Sequence, residues 1–183
     1  MYLPTRSALY IHQRKTAGTS IGYALGLRPA NEAWHIGNDG VLEERFWDVV
    51  SAGGIYVFSS VRNPFDRAVS GWKYLACTRS RRFEEVLLDP PQEGAGYRHF
   101  TRPQAAILVD PATNQLVTDD LIRYESLAAD FRRITTAQGI PTARLRRRNR
   151  SLHWPYRHYY SREARELVEH RFAVDLELFG YAF

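Results

Sequence analysis

Lys15, with Thr16, Gly18, Thr19 and Ser20 after it, stands in a stretch reading ALYIHQRKTAGTSIGYAL over residues 8–25, and Arg62 and Ser70 stand in YVFSSVRNPFDRAVSGWKYL over residues 56–75. These are residue types that hold anions. An ammonium is a compact point charge, hydroxyls add donors, and a glycine lets backbone amides come close to a ligand. An arginine presents a planar fork of N–H donors that matches the oxygens of a phosphate. Lys15 is placed to meet a bridging or terminal oxygen of one such group, and Arg62 with Ser70 to hold another. The two stretches read as two halves of a site for a nucleotide with phosphates at two separate positions.

Each half needs a strand to deliver it and a helix to receive it. Residues 9–12 are short and apolar enough for a buried strand, and residues 18–25 have helix spacing, with Ile21 and Leu25 four apart. A strand, loop and helix in that order leave the first helix amides unpaired and facing the loop, which favours an anion. Residues 55–61 read as a second buried strand; Asn63 is a plausible N-cap, Pro64 suits the first helical turn, and Asp66 is favourable beside it. Arg62 then stands at the C-terminal end of a strand, where ligands of open α/β sheets gather, and Ser70 lies about two turns into the helix. Plainer readings exist: an ordinary capped helix after the first strand, an ion pair between Arg62 and Asp66, and a backbone-bonded or solvent-facing Ser70. The first loop is not the kinase-type G-x-x-x-x-G-K-[ST], because Lys15 precedes Gly18 and no glycine precedes it in the loop.

Farther along, residues 39–50 have helix spacing up to the Gly53-Gly54 break, 83–88 read as a short helix, and 89–96, rich in Pro and Gly, as the clearest loop. A strand at 121–124 precedes a helix at 126–137, and 161–172 opens with a serine cap and an acidic first turn. This alternation predicts an α/β protein, P-loop-like, of three α/β/α layers with a central, mainly parallel sheet. A length of 183 residues suits one domain over 1–183, and 44% hydrophobic residues argue against disorder.

With these residues in view, the chain resembles the sulfotransferases that use 3′-phosphoadenosine 5′-phosphosulfate (PAPS), in the branch related to the carbohydrate 2-O-sulfotransferases of heparan and dermatan type. IHQRKTAGTS is similar to that family's 5′-phosphosulfate loop and VRNPFDRAVS to its 3′-phosphate segment; RPQAAIL, LIRYESLAADFRRI and the stretch from residue 146 to the end continue the likeness. The loop departs from the family in carrying Gln13-Arg14 where a hydrophobic-proline pair is usual. The resemblance implies a PAPS-dependent enzyme in which Arg14, Lys15, Thr16, Gly18, Thr19 and Ser20 hold the 5′ group, and Arg62 and Ser70, with Arg150 from the basic stretch, hold the 3′-phosphate. It also implies a glycan or other small hydroxylated acceptor and no metal. His35 falls between the two segments, where 2-O-sulfotransferases carry a histidine, and is the expected base, with Lys15 the cation at the leaving oxygen; Glu32, Asp39 and Glu44 are the carboxylate substitutes. His12 is expected in a supporting role. His99, His153, His158 and His170 are expected to be surface or capping residues.

The net charge is +5, with arginines clustered at 144, 146, 147, 148 and 150 and again at 79, 81 and 82. Such runs usually mark a solvated face or a nucleic-acid surface, but the aromatics that follow, Trp154, Tyr156, Tyr159 and Tyr160, read as packing against the last helix, so nucleic acid is not expected as a partner. No apolar stretch is long enough for a bilayer span and the N-terminus lacks signal-peptide design, so a cytoplasmic enzyme is expected. The single cysteine, Cys77, sits in a stretch that reads as helical and fits a reducing compartment. Acceptor choice is expected to come from residues 89–100, the arginine cluster and the surroundings of His35. The competing classes are a P-loop-like nucleotide kinase and a non-catalytic basic module that binds nucleotides or nucleic acid.

Overall fold

A computed structural model describes residues 2–3, 8–27, 50, 52–146, 148 and 153–183. Two compact units emerge, Met1–Val61 with Ile107–Asn149 and Arg62–Ala106 with Arg150–Phe183. The first carries the sheet. Its strands are β1 (Tyr2–Leu3), β2 (Ala8–Ile11), β3 (Tyr56–Val61) and β4 (Asp120–Arg123), in the order β1-β2-β3-β4. The pairs β2–β3 and β3–β4 are parallel, with Tyr10 opposite Phe58 and Ser60 opposite Ile122, and only β1 runs antiparallel. The class is α/β with a mainly parallel sheet, as the alternation of elements predicts.

Side-chain alternation along these strands sorts the core. Ala8, Tyr10, Phe58 and Ile122 share one face and pack with Ile21 and Ala24 of α1 (Gly18–Ala24) and with Leu127, Phe131 and Ile134 of α6 (Leu127–Ala137). The opposite face, with Leu9, Ile11, Val57 and Val61, is buried as well, which explains why β2 and the start of β3 are apolar at successive residues rather than at every second one. At the outer end of β4, Asp120 accepts two hydrogen bonds from the Arg133 guanidinium and one from the Tyr56 hydroxyl, and those bonds hold its carboxyl below the usual range.

The second unit is helical: α2 (Pro64–Tyr74), α3 (Phe83–Leu88), α4 (Gly94–Thr101), α7 (Arg162–Arg171) and α8 (Ala173–Phe179), with the single turn α5 (Ala105–Leu108) where the chain returns to the first unit. Phe65, Val69, Phe83, Val86, Leu87, Phe100, Val168 and Phe172 form its core. Tyr156, Tyr159 and Tyr160 pack on that cluster as expected, with Phe65 edge-on to Tyr160 at 5.4 Å. Trp154 does not; it is 73% exposed. The helix expected at 161–172 is α7, and a further helix that was not expected, α8, follows it directly, with Phe172 (φ −115°, ψ 26°) between them.

Three more expectations change here. The loop expected at 89–96 ends at Glu93, because Gly94, at φ +66°, opens α4, and Gly96 lies so close to Pro91 that a Cβ would meet its ring at 2.8 Å. Of the glycines that read as loop punctuation, Gly94 supplies a left-handed backbone and Gly96 a close approach, and the candidate acceptor segment 89–100 is mostly helix. Cys77 is exposed in the turn after α2, not within a helix. His99 is a core residue, 2% exposed, with its Nε2 at 3.0 Å from the Arg67 carbonyl and its ring against Gly71. The helix expected at 39–50 lies outside the described residues except for Val50.

That last contact gives a sharp expectation. A Cβ at Gly71 would fall 1.9 Å from Nε2 of the His99 ring, which is buried and hydrogen-bonded. Overpacking of this kind costs about 1–3 kcal/mol, more than the roughly 0.5–1 kcal/mol that alanine gains over glycine in a helix. Gly71→Ala should lower the melting temperature by about 3–8 °C in a circular-dichroism melt. An unchanged midpoint would mean that His99 can move aside.

Candidate functional site

One candidate anion site lies in the first unit, between β2 and α1. Buried His12 forms its floor: the ring stacks on Tyr10 (centroids 6.3 Å apart, 19° between planes) and lies where a Cβ on Gly18 would be, 1.7 Å from Cδ2. Only glycine lets the helix start this close to the ring. His12 therefore has the supporting role expected of it. Thr16 points inward: its hydroxyl donates to the Gln13 carbonyl at 3.0 Å and shares a 2.8 Å hydrogen bond with Ser60, which shares one of 2.6 Å with the Tyr10 hydroxyl. Burial pushes the Tyr10 phenol up, so it remains a protonated strut. Whatever Thr16 offers a ligand comes from its backbone, since its side chain ties the loop to β3.

Between these anchors the backbone is unusual. Lys15 (φ 63°) and Ala17 (φ 70°) are both left-handed without being glycine. Such conformations cost of order 1–3 kcal/mol each and persist where surrounding structure enforces them. Alternation of hand along a loop turns successive N–H groups toward one side, the concave nest that binds anions. Arg14, Lys15 and Thr19 are half-buried on this loop and helix start.

Ser20, on the first turn of α1, accepts a 2.9 Å hydrogen bond from the Arg148 N–H, and the Ala143 N–H donates to the Ala24 carbonyl at 2.8 Å. These bonds lay residues 143–146 and Arg148 along the helix, beside an open pocket of about 300 Å³ lined by Ser20, Tyr23, Ala143, Arg144, Arg146 and Arg148. The Arg148 guanidinium sits 4.0 Å from the centre of the Tyr23 ring, a cation–π contact. Part of the basic cluster is thus held against α1, beside the first candidate site. Tyr23 escaped the sequence reading because an aromatic on a short helix looks like core. Arg150 and His35, with Glu32, Asp39 and Glu44, lie outside the described residues.

The other candidate anion site lies in the second unit. Asn63 caps α2, its Oδ1 accepting from the Phe65 N–H at 3.0 Å while its Nδ2 donates to the Ala182 carbonyl at 2.9 Å, and Pro64 takes the first helical position. Arg62 is 4% exposed; its Nε donates to Asp66 Oδ2 at 2.8 Å and its Nη2 lies 2.7 Å from the same oxygen. The ion pair expected as the plainer reading of Arg62 is therefore formed, and a phosphate has to compete with or join it. His153 approaches the other Asp66 oxygen at 3.8 Å, so it is no surface residue. Ser70 is 1% exposed within α2, which rules out a solvent-facing serine. Gln104, which sequence reasoning did not single out, hydrogen-bonds the Arg62 backbone, and Asp175 accepts from Gln104 and Ala105 behind it.

A strand-loop-helix anion nest with a lysine in it, and an arginine at a strand end entering a proline-started helix, are what the sulfotransferase class would need. The family model described as Sulfotransferase family matches residues 4–182, and the chain belongs to that family. It is an enzyme of sulfuryl transfer. Comparison with curated proteins and with solved structures returned no match. No helix among the described residues is long and apolar enough to cross a membrane.

Proposed function

We propose that residues 1–183 act as one PAPS-dependent sulfotransferase domain that sulfates a hydroxyl of a carbohydrate or other small hydroxylated molecule. The observation that carries this reading is the loop between β2 and α1, where two left-handed residues, one of them Lys15, are pinned by Thr16 to Ser60 and by Gly18 to His12. A loop held in that strained shape suits the 5′-phosphosulfate, with Arg14, Lys15, Thr16, Gly18, Thr19 and Ser20 around it. Arg62 and Ser70, with Arg150, would hold the 3′-phosphate. The cavity on Tyr23, lined by three arginines, adds room and positive charge for the rest of a nucleotide.

The donor supplies the sulfuryl group, which passes in line to the acceptor oxygen as the sulfur–oxygen bond to the nucleotide phosphate breaks. Positioning and charge stabilisation carry most of such a transfer. In this chain Lys15 would neutralise charge that grows on the departing oxygen, and His35 would take the acceptor's proton.

The test is selective. Arg62→Ala should weaken binding of adenosine 3′,5′-bisphosphate by about 10- to 100-fold, the size of a charge-assisted phosphate contact, and leave AMP nearly unaffected in calorimetric titrations. Equal losses for both nucleotides would overturn the assignment. Stabilisation of the parent protein by ATP with magnesium, and none by the bisphosphate, would instead support the kinase reading.

A further inference from the structure

Gln104 is fully buried and grips a single residue from the side. Its Oε1 accepts from the Arg62 N–H at 3.0 Å and its Nε2 donates to the Arg62 carbonyl at 2.9 Å. Both backbone groups of Arg62 are thus held as a neighbouring strand would hold them, just past the point where β3 ends. The second Nε2 hydrogen bond goes to Asp175 Oδ2 at 3.2 Å, which also accepts from the Gln104 N–H at 2.8 Å, while Oδ1 accepts from the Ala105 N–H at 2.8 Å. Asp175, on α8, is 0% exposed; burial pushes its carboxyl up, and nearby Arg67 and these donors pull it back.

The chemistry of this chain of contacts runs in one direction. An ionised carboxylate only accepts, so Asp175 settles which end of the Gln104 carboxamide faces it, and that choice settles which end meets the Arg62 N–H and which the Arg62 carbonyl. The side chain of Arg62 is directed separately, by Asp66. A buried carboxylate is costly, and three donors converging on this one make it affordable only in this arrangement.

We propose that Gln104 and Asp175 are positioning residues for Arg62: they fix the peptide from which its guanidinium departs, and so set how that guanidinium meets the 3′-phosphate. This rests on the reading of Arg62 as the 3′-phosphate ligand. Neither residue needs to touch the nucleotide.

Asp175→Asn tests it with a near-isosteric change. One end of the new amide is an NH₂, which cannot accept: set toward Ala105 it opposes that N–H, and set toward Gln104 it opposes both the Gln104 N–H and Nε2, so in either orientation the group that seats Gln104 against Arg62 loses part of its hold. Affinity for adenosine 3′,5′-bisphosphate should fall at least about tenfold, affinity for AMP should stay within about twofold, and KM for the donor should rise with little change in kcat. Gln104→Met, which removes the clamp without adding charge, should do the same and serves if Asp175→Asn does not fold. In the Arg62→Ala background neither change should weaken bisphosphate binding further. Equal losses for both nucleotides, additive losses in that background, or unchanged affinities would each overturn the proposal. Failure of Arg62→Ala itself to discriminate the nucleotides would overturn the underlying reading, and is seen in the single variant alone.

Discussion

Lys15→Ala should lower both donor affinity and turnover, with kcat falling about 10²- to 10³-fold, the usual effect of removing one preorganised group that meets developing charge. The change leaves a non-glycine residue at φ 63°, so the backbone strain of the loop is kept and only the ammonium is lost. Because the cation would touch an oxygen that is already anionic in the ground state and more so in the transition state, binding and chemistry should suffer together. Lys15→Arg should not rescue fully, since a planar fork cannot replace a point charge in a loop this tightly anchored by Thr16 and Gly18. The measurement is single-turnover transfer from labelled donor, with affinity read separately by calorimetry. Near-normal turnover in Lys15→Ala would remove the lysine from the reaction and leave it a loop residue only.

His35→Ala should behave differently. If its imidazole accepts the acceptor's proton, nucleotide affinity should stay almost intact while turnover drops by about 10²- to 10⁴-fold, the contribution of a positioned general base. The two variants together separate a group that serves the donor from one that serves the acceptor. An acceptor more acidic than an alcohol, such as a phenol, should recover part of the lost rate in His35→Ala and none in Lys15→Ala. Retained turnover in His35→Ala would send the search for the base to Glu32, Asp39 and Glu44.

Much of the fold was readable along the chain. The strands before each half-site, the Asn63 cap with Pro64 after it, the short helix Phe83–Leu88 and the Ser161 cap all rest on forces that act within about four residues, and each came out within a residue or two of its expected bounds. The same locality explains where reading failed. Gly94 and Gly96 mark turns by composition, yet here a glycine opens a helix and another makes space for Pro91; His99 has the polarity of a surface residue, yet the bare backbone of Gly71 gives its ring a buried seat.

What residue types and spacing determined by themselves is that this chain places a lysine-bearing loop and an arginine each at a strand-to-helix junction, a setting that suits anions; the motifs around them carry the resemblance to the sulfotransferase family to which the chain belongs. Which groups hold those junctions in shape was decided only in three dimensions. Thr16 turns in to meet Ser60, 44 residues away; Ser20 anchors Arg148, 128 residues away; and Asp175 orders Gln104, 71 residues away. Hydrogen bonds over such separations form because packing brings two buried polar groups together and leaves neither with water. Nothing in the local sequence of either partner specifies the other.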